Sequence, residues 1–392
     1  MLDLLHLQNF KSARDLEVPL NKLTVLSGLN GAGKSTVLQA LALLRQSLQL
    51  TSESQLTNFQ LRGPLVQLGV AGDVLSQRAA ENKIGITVCR NGSRQNWVAN
   101  APAESELSTN WLKHSDVLDL KLDVAAHNPI EAYLKACHFQ FLQADRLTPK
   151  THYDRSDAAN RKLGFLGPRG QYTPDFLAEH GSTLDVHTAR HSPTKNLNLP
   201  QGLIERIVVT QKLYGQVAGW LQHMSPGVSL NAELISQTDL VTLGFSYLSP
   251  ELAQDSTRRR PSNVGFGLTY CLPIITACLS APRGALLLLE NPEAHLHPQG
   301  QAALGVLLAK CAKDGVQIVV ETHSDHILNG IRLATRHDFV SGDEIQLCHF
   351  TRNIANGDSQ IESPSVLAGG ALSAWPNGFF DEWEKSLEAL LG

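Results

Sequence analysis

Eight residues from Gly28 to Ser35 read G-x-x-x-x-G-K-S, and residues of these types at this spacing form a P-loop. Backbone N–H groups around Asn30, Gly31, Ala32 and Gly33 face inward to cradle phosphates, and a side chain at Gly31 or Gly33 would obstruct that approach. The amine of Lys34 then reaches the β- and γ-phosphates as a point charge, the Ser35 hydroxyl ligates magnesium, and Thr36 contacts the α-phosphate. A helix starting at Lys34 adds the positive end of its dipole. The expected ligand is a nucleoside triphosphate, ATP, with Mg2+.

A second set of polar residues stands where apolar runs end. LLLL at 286–289 closes on Glu290, the pattern of a buried parallel strand that delivers a carboxylate at its C-terminal edge. This is a Walker B strand, and Glu290 is expected to hold the magnesium, directly or through water. VQIVVETHS at 316–324 repeats the pattern and should lie beside it, with His323 within reach of a γ-phosphate. His295 and His297 form H-x-H without supporting cysteine spacing, a weak zinc signal.

These residues need elements to carry them. Apolar LTVL at 23–26 precedes the loop as a strand, and 37–44 follow it with leucines spaced for one helical face. Alternation at 2–7 and 14–20 predicts two strands feeding the P-loop strand from a sheet edge, with Lys11 and Arg14 at their turn as solvated charges or nucleotide contacts. IGITVCR at 84–90 ends in Asn91-Gly92, a hairpin signal, so WVAN at 97–100 pairs back. Gln67 and Asp73 are the polar residues of this region best suited to face nucleotide or magnesium. Residues 101–260 are less patterned, with a helix near 201–223 and loop arginines Arg146 and Arg169 that could meet a phosphate or a partner carboxylate. Strands and helices alternate after Arg258-Arg259-Arg260, which implies a mainly parallel sheet covered on both faces. The organisation expected is an N-terminal lobe (1–100), an insertion or lid (101–260) and a C-terminal lobe (261–392).

The 392 residues are 42% hydrophobic, enough for a substantial core. A net charge of −4 gives no bulk attraction to nucleic acid, so a DNA contact would need a local patch. Six scattered cysteines without C-x-x-C spacing read as reduced core thiols. No apolar run is long enough to span a bilayer, and a soluble cytoplasmic protein without membrane contact is expected.

The ordered set NFK, GLNGAGKST, SNVGFG, LLLLENPEAHLHP and VVETHSDHIL resembles the ABC-type ATPase heads of SMC, RecF and OLD-family proteins. It is similar in particular to compact bacterial AAA-family (ABC-class) ATPases with a C-terminal domain of unknown function. The resemblance covers both ends of the chain, about half its length. It implies an α/β P-loop NTPase head with a mainly parallel central sheet, antiparallel edge strands and a mostly helical insertion. It also implies that Ser262, Gly265 and Gly267 belong to the signature segment that binds the γ-phosphate held by a partner's P-loop in an ATP-sandwiched homodimer. By the same resemblance His323 is the switch histidine and AHLHP stands in place of the D-loop.

Two departures matter. The Walker B acid is Glu290 rather than the commoner aspartate, and Asn291 stands where the family usually has its catalytic glutamate. Asparagine orients a water but cannot take its proton. Either Glu293 supplies the base, or turnover is slow and the ATP-bound dimer long-lived.

The expected function is an ATP-switched, ATP-hydrolysing dimer that regulates a protein effector encoded nearby, a nuclease, protease or toxin, in anti-phage defence. The alternative is a DNA-processing or repair ATPase of OLD or RecF type. A Toprim nuclease needs a Glu and a D-x-D pair, which the residues after His323 do not supply, and no heptads persist for an SMC-type arm.

Overall fold

The computed structural model describes residues 1–51, 53, 55–101, 116–121, 128–193, 210–247 and 257–391. The chain forms two compact units, one from Met1–Cys137, Ile345–Val366 and Leu372–Gly392, the other from His138–Glu344 and Leu367–Ala371.

In the first unit the P-loop strand Leu23–Gly28 lies parallel to Ile345–Arg352, with Gly28 opposite Phe350. Ile345–Arg352 in turn pairs antiparallel with Ser359–Glu362. The helix Lys34–Leu50 follows the loop, and most of its residues are buried, including the polar Arg45, Gln46 and Ser47. Gln46 accounts for its burial: its Oε1 accepts from the N–H of Leu65 and Val66, and its Nε2 donates to the carbonyl of Gln60. Buried amides need such partners, and these fix the chain after the helix.

Strands Leu4–Phe10 and Ala13–Pro19 form as their alternation predicts, but they do not join the P-loop strand. Leu4–Phe10 has Ala13–Pro19 on one side and Lys83–Arg90 on the other, in an antiparallel sheet completed by Ser93–Asn100. Both edges of Leu4–Phe10 are thereby used. The hairpin at Asn91-Gly92 is present, with φ of 48° and 79° at the two turn residues, as a type I′ turn requires.

In the second unit three parallel strands lie in the order Gln317–Glu321, Leu286–Glu290, Phe139–Leu142. Their apolar residues are buried on both faces, as in a sheet covered on both sides. Helices Phe266–Ser280, Pro298–Lys313 and Asp325–Arg336 follow the motifs, and the last two pack closely where Gly305 and Gly330 leave no room for a Cβ. The middle of the chain is richer in strands than its composition announced. Val228–Leu234 and Leu240–Tyr247 form a hairpin, extended by Tyr153–Asp154. Of the helix expected near 201–223, Leu213–Leu221 is helical, and 201–209 lie outside the described residues. Four of the six cysteines are buried and two half-buried, all as free thiols. Among the described residues no helix is long and apolar enough to cross a membrane.

Candidate nucleotide-binding site

The P-loop lies in the first unit. Gly31 and Gly33 have φ of 76° and 107°, a region that side chains disfavour. A Cβ on Gly33 would collide with the hydroxyls of Ser359 and Ser12, whereas the space at Gly31 is open, as a docking phosphate needs. Gly33 starts the helix without a side-chain cap, and the first turn holds no acid. The positive end of the dipole is therefore not neutralised locally, which suits an anion. Lys34 is 3% exposed and folds over the loop, its Nζ donating to the carbonyls of Gly28 and Leu29 at 2.9 Å each. Asn30 and Gly31 are exposed, Ala32 is buried and Ser35 half-buried. Thr36 is buried with its hydroxyl 3.5 Å from that of Ser12, which also receives a hydrogen bond from Ser359 at 3.2 Å.

A cavity of about 470 Å3 adjoins this serine cluster, lined among others by Lys11, Ser12, Asp73, Arg78, Arg352 and Asp358. Lys11 donates to Gln39 at 2.6 Å, and Arg14 pairs with Asp358 at 2.9 Å. Asp73 lines the cavity while one of its oxygens accepts from the N–H of Val70. Gln67 does not face it and donates to the Gly63 carbonyl. Sequence reasoning missed Arg78, Arg352, Ser359 and His349, which arrive from distant parts of the chain. His349 is buried beside the P-loop strand, its Nδ1 3.3 Å from the Ser27 hydroxyl, with Phe379 edge-on against its ring. Burial pushes its pKa below the ordinary histidine value.

The acid strand and the histidine loop are in the second unit, where Glu290 stands opposite Glu321 in parallel register. Glu290 accepts a hydrogen bond from the N–H of Ala144 at 3.0 Å. Asn291 has φ 41°, a left-handed conformation that asparagine tolerates better than most residues. Its N–H donates to the carbonyl of Glu321 at 2.9 Å, and its Oδ1 is buried without a protein partner among the described residues. Glu293 is engaged at both oxygens: Oε2 accepts from the Thr322 hydroxyl and Oε1 from the His323 N–H, each at 2.8 Å. The His323 side chain is exposed.

Arg146 ties this half together. It is 1% exposed and donates to the carbonyls of Gln143, Glu290 and Asn291, while its guanidinium lies 4.7 Å from the Tyr270 ring centre. Burial pushes its pKa down to about 10 against the pull of Tyr270, Glu293 and Glu290. Arg146 thus fixes the backbone at the end of the acid strand rather than meeting solvent. Arg169 does not join this cluster and forms an exposed pair with Asp145.

The segment 262–267 adjoins the same cluster. Ser262 and Gly265 are exposed, and Gly265 begins the helix Phe266–Ser280 with no side-chain cap and no acid in its first turn. Phe266 is 54% exposed. Gly267 packs against the His295 carbonyl, and the His295 ring stacks edge-on with Tyr270. His297 caps the next helix, its Nδ1 accepting from the Gln299 N–H. No group of three or more His, Cys, Asp or Glu able to hold a metal occurs among the described residues.

A strand, an uncapped glycine turn and a helix carrying G-K-S-T define a P-loop NTPase. Three family models match successive parts of the chain. Residues 1–145 match "AAA ATPase domain", and residues 223–329 match "AAA domain, putative AbiEii toxin, Type IV TA system". Residues 340–390 match "Protein of unknown function (DUF3696)". Two AAA models and the model of this C-terminal domain thus match successive parts of one chain, which supports an AAA ATPase. None of the curated proteins matches it. Among solved structures it is similar to an SMC head bound to the C-terminal winged-helix domain of ScpA, at 13% identity and a TM-score of 0.47, over 93% of this chain and 98% of that one. It is also similar to the SMC head domain from Thermotoga maritima, at 13% identity and a TM-score of 0.42, over 92% and 98%. The Smc head with extended coiled coil from Pyrococcus furiosus, bound to the C-terminal domain of ScpA, gives 14% identity and a TM-score of 0.43, over 100% and 99%.

Proposed function

We propose that the chain binds and slowly hydrolyses ATP, dimerises head to head on the bound nucleotide, and passes its state to a protein effector. The uncapped helix start at Gly33, with Lys34 folded over open loop carbonyls, carries the ATP reading. On this reading Asn30 to Gly33 and Thr36 hold the phosphates, and Lys34 leaves the Gly28 and Leu29 carbonyls for the β- and γ-phosphates. Ser35 and Glu290 offer the hard oxygen donors that Mg2+ prefers, and the ion would neutralise charge on the phosphates as the terminal bond breaks. Asn291 turns its buried Oδ1 to the attacking water and orients it without accepting its proton. Glu293, held at both oxygens by Thr322 and His323, positions the His323 loop, and slow turnover follows.

The exposed helix start at Gly265, with Ser262 and Phe266 beside it, supports a partner's triphosphate as its complement across a homodimer. The family description naming a putative AbiEii toxin and a Type IV TA system supports a toxin–antitoxin or defence setting; on the reading proposed, the setting is anti-phage defence and the effector a nuclease, protease or toxin. Residues 101–260, as an insertion between lobes 1–100 and 261–392, are the surface proposed to meet it in the cytoplasm.

Sizing with a non-hydrolysable ATP analogue tests the core of this reading. Wild type shifts to a dimer, and Lys34→Ala fails to bind. A side chain at Gly265 meets nothing within 4 Å and its φ is an ordinary −59°, so Gly265→Glu folds and binds the analogue but stays monomeric. Identical oligomers for wild type and Gly265→Glu would refute the dimer.

A further inference from the structure

The function proposed above assigns no individual role to the run Arg258-Arg259-Arg260, yet the run lines a defined cavity. About 520 Å3 in volume, the cavity is bounded by His152, Ile235, Leu243 and the three arginines, a size typical of small-ligand sites. The run is held in place by its backbone: the Arg259 N–H donates to the Phe245 carbonyl at 2.7 Å, and the Phe245 N–H returns a bond at 2.9 Å. The arginines therefore lie along the edge of the hairpin strand Leu240–Tyr247 rather than on a free loop.

Their charges are unequally matched. Arg258 pairs with Glu233 at 2.8 Å and bonds the Thr242 hydroxyl at 2.9 Å. The side chains of Arg259 and Arg260 are exposed and make no hydrogen bond or ion pair among the described residues. Two arginines without a protein partner among the described residues thus line one cavity together with buried Leu243, in a chain whose net charge is −4. Guanidinium forks match phosphate oxygens two at a time, and apolar lining residues suit a flat ring.

We propose that this cavity binds a phosphoryl-bearing ligand of nucleotide size, with Arg259 and Arg260 on the phosphate and Ile235 and Leu243 against the ring. The ligand is either a free nucleotide or one unit of a single-stranded nucleic acid. The site shares no residue with the phosphate cradle, and it has a direct outlet. Arg260 caps the turn Pro261–Asn263 that leads to Gly265, so the bound ligand bears on the start of the exposed helix.

The test uses the full chain carrying Lys34→Ala, so that the P-loop does not report. Two probes are titrated by fluorescence anisotropy, a fluorescein-labelled short oligo(dT) and N-methylanthraniloyl-AMP. At least one binds; Arg259→Glu with Arg260→Glu weakens it roughly tenfold or more, and Arg259→Lys with Arg260→Lys retains most of it. Should the reversed variant melt earlier than its parent, the single changes Arg259→Ala and Arg260→Ala are read in its place, each weakening binding severalfold. Binding of the oligonucleotide alone, with a steep salt dependence, identifies nucleic acid as the source; binding of the mononucleotide identifies a free ligand. Binding of neither probe, or binding indifferent to charge reversal, overturns the proposal. Because every arm carries Lys34→Ala, that failure leaves the ATP reading untouched.

Discussion

Arg146→Met removes one side chain and undoes the end of the acid strand. The arginine donates to three backbone carbonyls, those of Gln143, Glu290 and Asn291. Each charged hydrogen bond contributes about 1.5–3 kcal/mol, so the three amount to roughly 4–9 kcal/mol. Against this stands the cost of holding the charge out of water. A pKa pushed down to about 10 corresponds to about 3 kcal/mol against the charged form. The difference is a net stabilisation of roughly 1–6 kcal/mol, and methionine fills the volume but leaves buried carbonyls without donors. We expect Arg146→Met to lose about 3 kcal/mol in urea unfolding and at least tenfold in ATP turnover, with nucleotide affinity affected less. Arg146→Lys recovers part of the stability, since one ammonium cannot serve all three carbonyls in the guanidinium geometry. If Arg146→Met unfolds at the wild-type urea midpoint and turns over ATP at the wild-type rate, the carbonyl cage is not what holds the strand end.

The remaining predictions are shorter. Asn291→Asp and Asn291→Glu supply a carboxylate where the chain has an amide and should raise kcat, each tenfold being about 1.4 kcal/mol off the barrier; Glu must first overcome about 1 kcal/mol of strain at φ 41°. A brisk wild-type rate that Glu293→Gln abolishes would instead assign the base to Glu293. His223 provides a pH test: burial, aided by the charge of Lys310, pushes its pKa down to about 4. The unfolded chain then binds the proton more readily, so this contribution is complete above pH ~6.5 and falls by about 3 kcal/mol as pH drops to ~4. His223→Gln should flatten urea stability over that window, and an unchanged slope would remove the assignment.

The sequence announced the two motif halves because phosphate chemistry restricts both residue type and spacing. Glycines with positive φ, a lysine one position on and a strand-ending acid leave few alternatives, and their strands and helices formed within a few residues of their expected ends. Sheet membership was less legible. The alternation in Leu4–Phe10 tells which face is buried but not which strands become its neighbours. The hairpin at 228–247 escaped notice because its turn, Ser236 to Asp239, lacks Asn-Gly and uses Gln237 at φ 61° instead. Arg146 carried a weak signal, an arginine after an apolar run. Its true partners are backbone carbonyls, two of them about 145 residues away, which no residue pattern encodes.

The contacts in the second unit also bear on how a head could report its nucleotide. Gly267 at the helix start packs on the His295 carbonyl, and the His295 ring meets Tyr270. Tyr270 donates its hydroxyl to the Ala144 carbonyl and receives the Arg146 N–H, and Arg146 holds the carbonyls of Glu290 and Asn291. Two residues on, Glu293 grips Thr322 and His323. Every link is a packed or hydrogen-bonded contact, so a displacement of the exposed helix start is resisted by the same groups that fix the acid strand and the histidine loop. Such a cluster behaves as one body with few arrangements rather than as a continuously deformable one. On the function proposed, this explains why an asparagine in place of a stronger base is tolerable: a head whose output is the closed arrangement gains from holding it, and rapid hydrolysis would shorten the signal.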